Sequence, residues 1–274
     1  MPQDNKLYQE LLKQKDEISR QRKEIIESLE YACLIQTALL PQSSSIQKKL
    51  HNNFILYLPK DIISGDFYWM YEREEDVLFA AVDCTGHGVP GALMSILGIS
   101  SLNEIVSNIG DIKANRILNQ LREKIMKSLH QTGQGGESKD GMDISFCVYN
   151  RKTKELQYSG ANNPLYYIRQ DVLHEIKPDK MPIGVSGIEE KSFRNNVVKM
   201  KKGDVLYIFT DGFPDQFGGP EEKKFKYKPF KNLLLEIHNK NMKEQREILF
   251  SSFHAWKRDF EQVDDVLIMG VRID

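Results

Sequence analysis

The sequence predicts an α+β protein built on antiparallel sheets and led by one long amphipathic helix. Three observations carry that prediction. Short β-type runs, Ile144 to Tyr149, Leu156 to Ser159 and Leu165 to Ile168, follow one another with turn signals between them. Stretches of helical spacing come in pairs: Pro90 to Ile109 with Ala114 to His130, and Phe230 to Lys240 with Lys243 to Phe260. Strand groups interrupted by helix pairs, rather than strict βα alternation, argue for antiparallel sheets. Residues 4 to 40, finally, are polar, charge-rich and free of glycine up to Pro41.

Within that first segment Leu11, Ile18, Ile25, Ala32 and Leu39 recur every seven residues. Leu7, Gln14, Gln21, Ser28 and Ile35 form a second, more polar seam. Glu10, Glu17 and Glu24 take g positions, and Lys15 and Arg22 take e positions, where they would meet across a parallel dimer. A coiled-coil homodimer is the expectation; a single helix packed on its own domain is the alternative. Gln42 to Lys49 reads as a polar connector and domain boundary. Phe54 to Leu58 and Val77 to Val82 read as strands, and the helix after them is expected to begin at Pro90-Gly91. Gln131 to Gly141 is a glycine-rich loop, and Arg151 to Lys154 a hairpin turn. Val197 to Met200, Val205 to Phe209 and a closing strand from Val266 to Val271 complete the pattern.

Composition narrows the function. The 274 residues suffice for one large domain and an accessory element. With 38 basic and 39 acidic residues the formal charge is -1, which gives no electrostatic footprint for nucleic acid. No apolar run is read as reaching the roughly 20 residues that span a bilayer, so no membrane insertion is expected. The polar start gives no secretory leader. Cys33, Cys84 and Cys147 are few, odd in number and far apart, which fits a reducing, cytoplasmic setting and no thiolate zinc site.

Acids recur at the ends of apolar runs. Asp66 sits in Ser64-Gly65-Asp66-Phe67, and Asp83 ends Ala80-Ala81-Val82 before Cys84-Thr85-Gly86-His87-Gly88. Asp211 follows Val205 to Phe209, and Asp264 and Asp265 open the last strand. A strand end is an unfavourable place for unpaired charge. Hard divalent cations are what usually gathers such carboxylates, and all-oxygen ligands favour magnesium or manganese. A pair of such ions would activate water for hydrolysis. No Walker-type loop or serine elbow offers another route. For any single acid an ordinary Asp-Gly turn is the competing reading; the set together argues against it.

These segments resemble the signatures of SpoIIE-type phosphatases, the bacterial branch of the metal-dependent protein phosphatases related to protein phosphatase 2C. The resemblance rests on Ser64 to Tyr68, Val82 to Ala92, Thr210 to Phe213 and Asp264-Asp265-Val266, with Gly160 to Pro164 and Pro182-Ile183-Gly184 in support. It runs in order from about Ile35 to Ile273. It implies an α-β-β-α sandwich with metals in a cleft at one edge. It also implies hydrolysis of phosphoserine or phosphothreonine, with partner-switching STAS-domain proteins of the anti-anti-sigma type as substrates. It divides the chain into a regulatory or dimerising helix, 1–41, and a phosphatase domain, 42–274.

Carried over to these positions, Asp83 is the bridging ligand of two Mn2+ or Mg2+ ions and Cys84 supplies a backbone carbonyl. Asp66 and Asp211 ligate an ion directly or through water, and Asp264 is the last metal aspartate. Ala161 stands where eukaryotic relatives carry an acid, so two ions rather than three are implied. Lys60 lies one residue from the place of their phosphate-gripping arginine and is the candidate substrate contact. His87 is a candidate proton donor or else a loop histidine fixing the glycine turn. Asp143 and Asp265 are candidates for supporting the ligands or capping turns. A catalytically silent binding module that sequesters a signalling partner is the rival reading; the presence of all four metal aspartates favours the enzyme.

Overall fold

The computed structural model describes residues 2–132, 138–185 and 191–274. The loop expected over Gln131 to Gly141 lies partly outside them. In chain order the elements are α1 (Pro2–Leu39), α2 (Ser43–Lys49), β1 (Asn53–Leu58), β2 (Phe67–Arg73), β3 (Asp76–Cys84), α3 (Gly88–Asn108) and α4 (Ala114–Ser128). Then come β4 (Met142–Asn150), β5 (Glu155–Ala161), β6 (Leu165–Arg169), β7 (Val172–Ile176), β8 (Asn196–Lys199) and β9 (Val205–Phe209). The chain closes with α5 (Gly212–Asp215), β10 (Phe217–Gly218), β11 (Lys223–Lys224), α6 (Tyr227–Ile237), α7 (Met242–Lys257) and β12 (Val266–Arg272).

The larger strands form two five-stranded antiparallel sheets, ordered β1-β12-β9-β6-β7 and β2-β3-β4-β5-β8. Helices α3 and α4 cover the second sheet, while α6 and α7 cover the first. The expected α-β-β-α sandwich is therefore the observed one. Its core has three layers. Leu78, Val82 and Phe146 pack outward on Leu102 and Leu121, and Phe209 and Ile268 pack outward on Phe230 and Leu249. Val77, Phe79, Cys147, Leu206 and Leu267 fill the space between the sheets. Strands with both faces covered read as continuous apolar runs, which is why β9 is buried at every position.

Three local expectations need correction. The segment Gln42 to Lys49 is not a plain connector, because Ser43–Lys49 is helical. Ile46 and Leu50 lie four residues apart, and both are buried, so a short apolar pair docks the turn on the sandwich. Helix α3 begins at Gly88, two residues before the Pro-Gly pair. Pro90 is accommodated in its first turn, where N–H groups lack intrahelical partners anyway. Finally, α3 is long and apolar enough to cross a membrane by length and composition, contrary to the sequence reading. Its apolarity has a local cause, since it packs against β2, β3, α1 and α4. Strands β2 and β7 escaped the sequence reading. The first lies within a motif, and the second is a half-exposed edge with little periodicity.

Helix α1 ends as expected just before Pro41. Its seam residues Leu11, Ile18 and Ile25 are exposed, at 55%, 64% and 61%. Alternating charges support the helix from within. Arg20 reaches Glu17 at 2.7 Å and Glu24 at 3.1 Å, each such pair contributing about 0.3–0.5 kcal/mol. Only its last turns meet the sandwich.

Candidate active site

Both sheets bring acids to one edge of the sandwich. From one sheet, Asp66 precedes β2, Asp83 is the penultimate residue of β3, and Asp143 is the second residue of β4, in register with Asp83. From the other, Asp211 follows β9, and Asp264 and Asp265 precede β12. Asp83, Asp143, Asp211 and Asp264 line a single cavity of about 240 Å3, together with Cys84, Thr85, Gly86 and His87. Residues spread over nearly two hundred positions of sequence converge because β3, β4, β9 and β12 all end or begin at this edge.

The turn that carries Cys84 to His87 depends on glycine twice. Gly86 has φ +83°, in the left-handed region that glycine enters freely. Gly91, in the first turns of α3, passes so close that a Cβ there would sit 2.2 Å from the Gly86 carbonyl oxygen. A side chain at Gly91 would push the turn, and the cavity wall with it, off the helix.

Asp66 is fully buried, and its Oδ2 accepts a 2.6 Å hydrogen bond from the Thr210 hydroxyl. Thr210 Oγ1 in turn accepts from the Leu267 N–H, so one hydroxyl ties an acid of one sheet to two strands of the other. Asp265 does not line the cavity. Its Oδ1 accepts from the Lys60 N–H at 2.7 Å, and its Oδ2 accepts from the Gly65 N–H at 2.8 Å. It holds the Asp66 turn in place, the orienting role expected for it. Tyr57 adds a 3.1 Å bond from its hydroxyl to the Asp66 carbonyl.

A further anchor comes from α1. The Gln36 amide is buried; it donates to the Ser64 carbonyl at 2.6 Å and to Ser95 Oγ at 2.8 Å, and accepts from the Ser64 N–H at 3.1 Å. One side chain of the N-terminal helix therefore grips the Asp66 turn and α3 together.

The electrostatics are one-sided. Burial raises the Asp66 pKa well above the usual carboxylate range, and the Asp83 charge raises it further. Asp83 is raised by burial, then by Asp211 and Asp264. Asp211 is pushed up to about 6 by burial and by Asp264. Asp264 and Asp143 are raised by burial, opposed by the Asp265 N–H and the Asn162 amide respectively. Cys84 is buried, and burial with the Asp83 and Asp66 charges holds its thiol far above its ordinary value. Among the described residues no three of these groups close into a ready-made ligand cluster. They ring an open cavity instead. The donor set, carboxylates plus the Cys84 carbonyl, has the chemistry hard divalent ions require.

His87 lines the same cavity, and its Nδ1 lies 2.8 Å from Asp61 Oδ2. Lys60 does not line it, although its charge lowers the Asp264 pKa. Of the sequence candidates, then, Asp83, Cys84, His87, Asp143, Asp211 and Asp264 stand together, with Asp66 and Asp265 buried just behind. Sequence reasoning missed Gln36, Tyr57, Asp61 and the bridging role of Thr210. Gln36 interrupts an otherwise apolar face, and that was its one available signal.

The SpoIIE family, described as Stage II sporulation protein E, matches residues 73–274. The chain belongs to the SpoIIE family. Its fold is closely similar to the SiaA-PP2C domain of Pseudomonas aeruginosa, with a TM-score of 0.85 and 31% identity over 92% of this chain and 98% of that one. The PP2C phosphatase domain and regulatory fragment of SpoIIE from Bacillus subtilis is similar at TM-score 0.66 and 21% identity, covering 81% of this chain and 63% of that one. RsbX in complex with magnesium shares the fold at TM-score 0.56 and 14% identity, covering 81% and 94%. No curated protein matches the chain. As a member of the SpoIIE family with a PP2C-like phosphatase fold, the chain places its acids at the sandwich edge.

Proposed function

We propose that this SpoIIE-family chain is a cytoplasmic, metal-dependent protein serine/threonine phosphatase. The observation that carries the reading is the convergence of Asp83, Asp143, Asp211 and Asp264 from two sheets on one cavity. Asp83, Asp211, Asp264 and the Cys84 carbonyl are the proposed direct ligands of two Mn2+ or Mg2+ ions, with Asp66 acting directly or through water. When bound, the ions would acidify a water for attack on phosphorus and offset phosphate charge. The chain's own groups do the rest. Thr210 and Asp265 fix Asp66, and Asp143 adds negative charge beside Asp83. His87 donates Nδ1–H to Asp61 and turns Nε2 to the cavity, so in its imidazolium form it can give the Nε2 proton to the departing seryl or threonyl oxygen and become neutral. The Cys84 thiol stays protonated and buried, so it is not the nucleophile and no phosphoenzyme forms. Lys60 remains a candidate for the substrate side chain's surroundings, through charge rather than contact.

A phosphorylated STAS-domain protein is the proposed substrate, on the strength of the resemblance to SpoIIE-type phosphatases. Residues 1–41 are proposed as a regulatory and dimerising helix, and 42–274 as the phosphatase domain. The test is phosphate release from phosphorylated STAS proteins. Chelation should abolish it, and manganese or magnesium should restore it. Chelator-insensitive turnover, or none with any metal on any phosphoprotein tried, would overturn the reading; the second result would leave the silent binding module.

A further inference from the structure

At the side of the sandwich, away from the acids, a second cavity of about 390 Å3 opens between the two edge strands β1 and β2. That volume falls in the range of small-molecule pockets, roughly 300–1,000 Å3. Its lining is mixed: Ile46, Ile55, Tyr57 and Tyr68 supply apolar and aromatic surface, and Gln47 and Asn53 supply amides. Tyr57 and Tyr68 pack edge to face, ring centres 5.6 Å apart. Its mouth is cationic, with Lys243 and Arg246 from α7 and no carboxylate in the lining.

The two cations are available. Arg246 uses Nε to cover the Ile55 carbonyl at 2.9 Å, blunting the β1 edge. Its two terminal nitrogens have no protein partner among the described residues. Lys243 is 86% exposed and forms a long (i, i+4) ion pair with Glu247 at 3.9 Å, an exposed contact that holds the ammonium only weakly. Apolar and aromatic surface beside Arg246, whose terminal nitrogens are unpaired among the described residues, and beside Lys243, held only by one long exposed pair to Glu247, is complementary to an amphipathic anion.

We propose that this cavity binds a small organic anion, its aromatic or apolar body against Tyr57, Tyr68 and Ile55 and its carboxylate or phosphate on Lys243 and Arg246. The occupant sits one hydrogen bond from the acid cluster, because Tyr57 donates to the Asp66 carbonyl. The site does not depend on the phosphatase reading.

Calorimetric titration of the full chain with indole-3-acetate and with AMP tests it, and the two arms separate a carboxylate from a phosphate ligand. At least one anion should bind saturably, and its neutral counterpart, indole or adenosine, about tenfold or more weakly. The double variant Lys243→Glu with Arg246→Glu should lose that binding; it also gives up the Arg246 bond to the Ile55 carbonyl, so its Tm should fall slightly while it stays folded at the assay temperature. Lys243→Gln, which leaves that bond intact, should weaken binding at the wild-type Tm. Binding should persist in Asp83→Asn protein, which rules out capture of the anion by the acid cavity. Failure of both anions to saturate by about 10 mM, undiminished binding by the double variant, or loss of binding in Asp83→Asn would each overturn the proposal.

Discussion

The acid cavity and the first half of α1 are opposites in construction. At and just behind the cavity, charged groups are buried or half-buried, and several are held by named partners: Asp66 by Thr210, Asp265 by two backbone N–H groups, Asp143 by Asn162. Along α1, apolar residues are exposed and their polar neighbours pair only within the helix. Each region violates the usual partition of polar and apolar groups, in opposite senses. Buried like charges cost stability, in keeping with the proposed metal site; exposed leucine and isoleucine at heptad spacing are the stripe the proposed dimer would cover. Gln36 is the place where the two regions touch.

The largest expected effect follows from that first violation. Asp83→Asn should lower phosphate release by about 10²-fold or more. The same substitution removes a repelled, half-buried charge, so the metal-free protein should gain stability, by up to about 1–2 kcal/mol. Thermal melts in chelator, set beside turnover in manganese, read both at once. A variant equally active, or one that melts lower than wild type in chelator, would show that the acids are not a strained ligand set.

Next is the junction. Gln36→Ala leaves the Ser64 N–H and carbonyl without the Gln36 amide, while the Ser95 hydroxyl keeps its bond to the Ala92 carbonyl. Buried unsatisfied groups cost about 1–3 kcal/mol each. We expect a destabilisation of about 2 kcal/mol in urea melts, accompanied by reduced turnover because the Asp66 turn loosens. Loss of stability with full turnover would mean that α1 is mere packing and says nothing to the site.

The architecture was legible because strands covered on both faces read as short continuous apolar runs bounded by turn signals, and helices such as α4 carry a clear apolar period. Runs such as Val205 to Phe209 and Val77 to Val82 could be little else. The acids of the cavity were legible as strand-end residues whose recurrence pointed to a shared cation site, and the family resemblance supplied each one's role. What could not be read was anything set by cross-sheet geometry. Thr210 looks like an ordinary turn residue until β12 and the Asp66 turn meet at its hydroxyl. Asp61 looks like one more surface acid until the Gly86 turn brings His87 to it. The α2 segment failed for another reason: one apolar pair, Ile46 and Leu50, is too short a signal for periodicity to register. Helix α3 failed in the opposite way, because its apolar length reflects neighbours on several sides rather than a lipid.

A smaller effect tests the charge repulsion by pH. The Asp211 pKa stands at about 6 in the folded chain, against roughly 3.9 for an unfolded aspartate. Between those values the folded state binds more protons than the unfolded one, so this group's contribution to metal-free stability falls as pH rises. Asp211→Asn removes the effect. The Tm of the variant minus that of wild type, in chelator, should therefore grow by a few degrees from about pH 4.5 to pH 7. Saturating manganese should shrink the difference or reverse its sign at pH 7, since the ions then need the carboxylate. A difference that is flat with pH would mean the Asp211 carboxylate feels neither burial nor Asp264.

The smallest effect on the fold is expected from the exposed seam, and that is what makes it informative. Ile18 and Ile25 touch nothing in the sandwich, so replacing both with Asp should change the stability of the sandwich by no more than about 0.5 kcal/mol. Assembly should respond differently. In a parallel pair of α1 helices the two positions would face their own copies, and four carboxylates would be forced into an apolar seam. Gln14, Gln21 and Ser28 in the second seam keep that pairing weak enough to be reversible. Light scattering at tens of micromolar should thus give a dimer for wild type and a monomer for the double variant, with turnover altered through Gln36. Wild-type protein that is already monomeric there, or a dimer indifferent to both aspartates, would leave the exposed stripe for some other partner. The junction at Gln36 would then be a brace for the Asp66 turn and not a line of communication to it.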